Sequence, residues 1–153
     1  MITYRKAALP DIQELARIRC KFLEEANDVT SEEESVMVEK ANIEYFRTAI
    51  GNDTFISWIA LDGEEIIATS GLSFSLVPPS FRIPDGKVAY IMNMYTFPLY
   101  RNRGIATTLF RKIIEEAKLL GYRKITLKAT DMGRTLYEKY GFKDVYGDMV
   151  FYL

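Results

Sequence analysis

From Val88 to Thr96 the chain is an almost unbroken apolar and aromatic run, VAYIMNMYT, and past Pro98 it continues as LYRNRGIATTLFRKIIEEAKLLGY. A run with so little polar alternation predicts a strand covered on both faces, hence a central one. Behind it Ile105, Ala106, Leu109, Phe110, Ile113, Ile114, Ala117 and Leu120 recur at three- and four-residue steps, and Gly121 follows. That spacing predicts a long amphipathic helix with one apolar face and a glycine stop. A buried strand that feeds such a helix requires a sheet with a helical layer against it.

The remaining segments fit round this unit. Ile2 to Lys6 alternates like a strand, and Pro10 with Asp11 opens a helix whose stripe is Ile12, Leu15, Ala16, Phe22, Leu23 and Ala26. Asn27 to Thr30 interrupts it; Ser31 and Glu34 have capping-box spacing for a second helix reaching Ile50, with Gly51 after its end. Thr54 to Leu61 and Ile66 to Phe74 predict a hairpin turned at Asp62-Gly63, and Pro78, Pro79, Pro84, Asp85 and Gly86 mark a long loop. Ile125, Leu127 and Ala129 alternate as a strand. Asp131 is placed to cap a short helix carrying Leu136, Tyr137 and Tyr140 and ended by Gly141, and Phe142 to Leu153 predicts one or two terminal strands. Residues 1–153 contain no repeat or linker and are expected to form one unit.

Composition narrows the chemistry. There is no His and one cysteine, Cys20, so an intrachain disulfide is excluded and the usual zinc, haem and His-centred catalytic sets lack their commonest member. No metal site is expected. A net charge of −1 from 20 basic and 21 acidic side chains, without a basic block, argues against nucleic acid as partner. No stretch approaches the about 18 apolar residues that a membrane span needs, and MITYRKAALPDI is no signal peptide. A reduced cytoplasmic setting, away from membranes, is the default expectation.

Two motifs remain. Arg101-Asn102-Arg103-Gly104-Ile105-Ala106 stands between the central strand and the long helix. A helix start leaves main-chain N–H groups without intrahelical partners and carries partial positive charge, and a glycine lets a ligand come close. Such a start, with Thr107 next in line, can cradle a phosphate or pyrophosphate. The plain alternative is a glycine-containing loop with two solvated arginines; the placement between a buried strand and a long amphipathic helix is what favours the cradle. The second motif is GRTLYEKYGF, residues 133–142, in which Leu136 and Tyr140 share a helix face while Tyr137 turns about 100° away. By itself Tyr137 reads as a partly buried structural tyrosine or as a group facing a crevice.

Taken in order, YTFPLYRNRGIATTLF and GRTLYEKYGF closely resemble the GNAT superfamily of acetyl-CoA-dependent N-acetyltransferases. Arg101, Gly104 and Ala106 match its pyrophosphate-loop signature, and Tyr137 its frequent tyrosine four residues before a Gly-Phe pair. The resemblance implies an α/β (α+β) fold: a mixed, mostly antiparallel sheet of six to seven strands with a central V-shaped splay and helices on both faces. It implies acetyl-CoA as co-substrate, with pantetheine against Met94, Tyr95 and Thr96. The pyrophosphate would lie on amides of Arg103, Gly104, Ile105, Ala106 and Thr107, beside Arg101 and Asn102. Thr130 and Arg134 would border the pantetheine or adenine side.

The activity implied is transfer of an acetyl group to an amine of a small molecule or peptide by direct attack in a ternary complex, with a homodimer as a further expectation. Tyr137 is then the group that protonates the departing thiolate. Many relatives carry a base glutamate on the central strand; this chain has Asn93 there, which is no base. Glu25 and Glu44 are the base candidates through water, although a glutamate in such a place is more often simply a solvated face charge. Glu24, Glu25, Glu32, Glu33 and Glu34 bracket the first interhelical loop and either attract a cationic amine or are simply solvated. Trp58, Phe74 and Tyr90 line an acceptor pocket or fill core. The rival reading is a non-catalytic CoA-binding sensor or interaction module, and a longer acyl donor is a third.

Overall fold

A computed structural model describes residues 1–26 and 31–153; the predicted interruption at 27–30 lies outside them. Strand β1 (Ile2–Lys6) leads through a 3-10 turn (Leu9–Asp11) into helix α1 (Ile12–Glu25). The Asp11 carboxylate fixes this corner by accepting from the Ala8 N–H at 2.8 Å and from both terminal nitrogens of Arg5. Helix α2 (Glu32–Gly51) starts as its sequence predicts, the Ser31 hydroxyl accepting from the Glu34 N–H at 3.2 Å. It ends differently: Gly51 is still helical and Asp53, at φ +57°, makes the left-handed turn.

The predicted 54–61 strand is two pieces, β2 (Phe55–Ile56) and β3 (Trp58–Asp62), both antiparallel to β4 (Glu65–Leu76). The break falls at buried Ser57, whose hydroxyl donates to the Ser70 carbonyl at 2.6 Å. Strand β5 (Lys87–Thr96) pairs antiparallel with β4 and parallel with β6 (Lys124–Leu127). The order β1-β3-β4-β5-β6, with β2 on the β4 edge, gives a six-stranded, mostly antiparallel open sheet among the described residues. Helix α3 (Ile105–Leu119) joins β5 to β6, and α4 (Asp131–Lys139) follows.

Helices cover both faces. Leu15, Ile18, Phe46 and Phe55 form the core under α1 and α2; Leu72, Ile91, Phe110 and Ile113 form the one under α3 and α4. The site is positioned by one irregularity in β5. Gly71 of β4 faces Met92 while Thr69 faces Tyr95, so β5 carries one extra residue at Asn93-Met94. Asn93 takes φ +54°, a region that asparagine tolerates better than most residues. An extra residue reverses the faces of everything after it. Ala89 and Ile91 pack on the α3 side, and without the bulge Tyr95 would follow them; instead Tyr95 joins the α1 core and Met94 packs under α3. Pairing with β6 stops at Ile91↔Leu127, so from Met92 to Thr96 that side of β5 has no strand beside it. This is the splay.

Two expectations fail. No strand forms in 142–153: Asp144 is held by Arg134 of α4, and Gly147 at φ +107° breaks the extended run. And α4 is capped by Thr130, not Asp131; the Thr130 hydroxyl accepts from the Gly133 N–H at 3.3 Å, and Asp131 becomes a first-turn acid. Among the described residues no helix is long and apolar enough to cross a membrane.

Candidate active site

The splay opens a cleft of about 410 Å³ between the free side of β5, the start of α3, the end of α1 and helix α4. Its floor is Met94, Tyr95 and Thr96. Its far wall is Arg101, Asn102 and Gly104 to Thr107, and Thr130, Leu136 and Tyr137 close the α4 side. Phe22, Glu25 and Ala26 close the α1 side.

The α3 start is built to receive negative charge. Helix α2 neutralises its own N-terminus with Glu32, Glu33 and Glu34, whereas α3 has no acid in its first turn. Its N-cap is Gly104, which offers no side chain. The Thr108 N–H reaches the Gly104 carbonyl at 3.0 Å, but the N–H groups of Arg103 to Thr107 find no acceptor among the described residues. Those donors and the helix dipole together suit a phosphate. Gly104 sits at φ +74°, and a Cβ placed on it would meet no atom within 4 Å. The space in front of it is open.

The arginines divide the work differently from a simple charge cluster. Arg101 turns inward: Nε donates to the Thr96 carbonyl at 2.8 Å and Nη2 to Glu25 Oε2 at 2.7 Å. The Tyr95 hydroxyl donates to Glu25 Oε1 at 2.6 Å. Glu25, Tyr95 and Arg101 thus tie the end of α1 to β5 and to the loop before α3. The Tyr95 hydrogen bond, reinforced by Arg101, holds the Glu25 carboxyl below its usual range, while burial first and Glu25 second push the Tyr95 phenol up to about 12. Arg103 lies over the Tyr100 ring, 5.3 Å from its centre.

Tyr137 is 7% exposed and packed against Phe110, with ring centres 5.2 Å apart. Its phenol oxygen has no hydrogen-bond partner among the described residues, yet no buried polar side-chain atom is left unpaired. The oxygen therefore keeps contact with open space, and Tyr137 is one of the residues lining the cleft. Burial raises its pKa above the ordinary tyrosine value. Gly133 makes room for the ring, since a Cβ there would stand 2.7 Å from Cε2, Cζ and Oη of Tyr137. Alanine at this helical position would otherwise add about 1 kcal/mol of helix preference. Gly133→Ala is therefore expected to lower Tm despite the helix preference it adds, because the Tyr137 ring must move; an unchanged or raised Tm would show that the ring is not held there.

Other residues singled out by sequence lie elsewhere. Glu44 is 72% exposed and paired with Arg47 on the outside of α2, away from the cleft wall. Arg134 is held by Asp144 and Glu138 on the outer side of α4. Trp58 donates to Glu116 at 3.3 Å, and Phe74 stacks on Tyr122. Sequence reading missed Gly133 as a packing partner, although its place four residues before Tyr137 on one helix was a usable signal. It also missed Arg19, whose Nη1 donates to Asn93 Oδ1 at 2.5 Å across 74 positions of sequence. No local pattern marks that pair.

A family model for the acetyltransferase (GNAT) family matches residues 15–142. The chain belongs to the GNAT acetyltransferase family. A predicted acetyltransferase from Clostridium acetobutylicum, solved with acetyl-CoA, is 35% identical over 99% of this chain and 96% of its own, with a TM-score of 0.91. A GCN5-related N-acetyltransferase from Ralstonia eutropha JMP134 shares the fold at 23% identity, covering 100% of this chain and 99% of its own, with a TM-score of 0.89. Glucosamine-6-phosphate N-acetyltransferase from Arabidopsis thaliana does so at 16% identity, with coverage of 99% and 98% and a TM-score of 0.68. No curated protein matches the chain.

Proposed function

We propose that residues 1–153 act as one acetyl-CoA-dependent N-acetyltransferase, joining the acetyl group to the amine of a small molecule or peptide in a ternary complex. One observation carries the reading: a helix start without acids, fronted by an open left-handed glycine, shares a cleft with a buried tyrosine. The N–H groups of Arg103 to Thr107 hold the pyrophosphate, and pantetheine runs beside Met94, Tyr95 and Thr96 where β6 has left the strand. The 35% identical relative, solved with acetyl-CoA, supports the same donor.

The neutral amine attacks the thioester carbon, and a main-chain N–H near Met94 or Tyr95 steadies the oxyanion. As the tetrahedral centre collapses, the C–S bond breaks and Tyr137 donates its proton to the thiolate. The proton shed by the amine passes through water, with Glu25 the only carboxylate on the cleft wall among the described residues. Held by Tyr95 and Arg101, Glu25 is a weak base, and its main contribution is to position the loop. Most of the rate then comes from orientation rather than from a strong base.

The weak base is also what favours a non-catalytic coenzyme A-binding module. Release of free thiol from acetyl-CoA, followed across a panel of amines, separates the two. Amine-dependent release is expected; tight coenzyme A binding with no release for any amine would make the chain a sensor.

A further inference from the structure

We propose that Arg19 selects the acceptor, favouring an amine that carries an anionic oxygen group, carboxylate or phosphate, close to its nitrogen. This rests on the acetyltransferase reading above and names the substrate class of that same site.

The argument begins with placement. Phe22, Glu25 and Ala26 form the α1 wall of the cleft, and Arg19 lies three residues before Phe22, on the same face one turn up the helix. Along β5 the cleft floor runs from Thr96 beside the α3 loop to Met94, and the next residue is the bulged Asn93 that Arg19 touches. Neither Arg19 nor Asn93 lines the cleft itself. Their contact lies one residue of β5 beyond the cleft's Met94 end, the end opposite the phosphate cradle and so the acetyl end of a donor laid along β5. Tyr45 of α2 is near enough to feel the same charge: its phenol, pushed up by burial, is pulled back by Arg19.

Its partners are also unusual. The other half-buried arginines, Arg17, Arg101 and Arg134, each meet a carboxylate. Arg19 is half-buried, yet its one hydrogen bond is to a neutral amide oxygen, and no carboxylate lies within ion-pair distance of it among the described residues. Glu24 and Glu39 are near enough to act on the Cys20 thiol alongside Arg19, but neither pairs with it. A guanidinium has five N–H donors in a fork that matches carboxylate or phosphate, and among the described residues only one is used here. Fixing the Asn93 bulge would need only a neutral donor. The charge left over repels polycationic amines and, close to the reacting nitrogen, favours its neutral form. An acceptor bearing its own anion satisfies both conditions.

The test uses matched acceptors: glycine against glycinamide, and phosphoethanolamine against ethanolamine, with acetyl-CoA as donor. One anionic member is expected to exceed its neutral partner at least about tenfold in kcat/KM, the winning pair identifying carboxylate or phosphate. Arg19→Gln, which keeps a donor for Asn93, should bring that ratio close to one without changing acetyl-CoA affinity or Tm. Binding of N-acetylglycine, N-acetylglycinamide and the two acetylated ethanolamines to the coenzyme A-loaded protein reads the same preference without turnover. Equal values within both pairs, better use of a polyamine, or a preference that survives Arg19→Gln overturns the proposal. A chain that binds no coenzyme A overturns the donor reading instead, so the two failures are distinct.

Discussion

Gly104→Glu is expected to weaken coenzyme A binding at least about 100-fold, equivalent to about 2.7 kcal/mol, while the chain stays folded. At φ +74° a side chain costs roughly 1–2 kcal/mol of backbone strain. That is small beside the 5–15 kcal/mol that typically holds a domain together. The larger effect is local: nothing lies within 4 Å of the position a Cβ would take, so a carboxylate would stand where the diphosphate is held. Gly121 supplies the control. It has φ +78°, is equally unobstructed, and lies at the other end of α3. Gly121→Glu carries the same strain and should leave affinity intact. Calorimetry on both variants decides; equal losses would mean that strain rather than occupancy is being measured.

Tyr137→Phe should lower kcat at least about tenfold with little change in KM for acetyl-CoA. The phenol acts late, on the leaving sulfur, so substrate binding should not register its loss. Stability should not suffer either, because the hydroxyl has no hydrogen-bond partner among the described residues to lose. The sign of the pH effect follows from burial. The proton-bearing form is the active one, and a raised pKa keeps it populated as pH climbs past about 10, the ordinary tyrosine value. Activity limited by this group therefore persists into the alkaline range and falls only above it. Single-turnover kinetics would test the role; an unchanged chemical step in the Phe variant removes Tyr137 from the mechanism.

Much of this was legible before the structure. The 3.6-residue period of Ile105 to Leu120 defines α3 because all of its packing lies along one stripe, and Ser31 caps α2 because capping is local chemistry. Asp131 is not the cap because Thr130 beside it also carries an oxygen that can accept from the first turn, and sequence alone does not say which residue turns first. The terminal strands failed partly for a local reason, the turn at Gly147, and partly for one outside the segment, the hold of Arg134 on Asp144. The site divides in the same way. Arg101, Gly104 and Tyr137 sit in short motifs, so their neighbourhood can be read in order. The inward turn of Arg101 onto Glu25, the bulge that sends Tyr95 and Met94 to opposite faces, and the Arg19–Asn93 contact all join distant segments. Only the fold brings these together.

The most direct test compares coenzyme A with pantetheine, which lacks the nucleotide diphosphate, by titration into folded wild-type protein. Saturable binding of the first and at least about 100-fold weaker binding of the second are predicted, because bare amides at the head of α3 supply most of the grip. Absence of coenzyme A binding, or pantetheine held as tightly, would contradict the account.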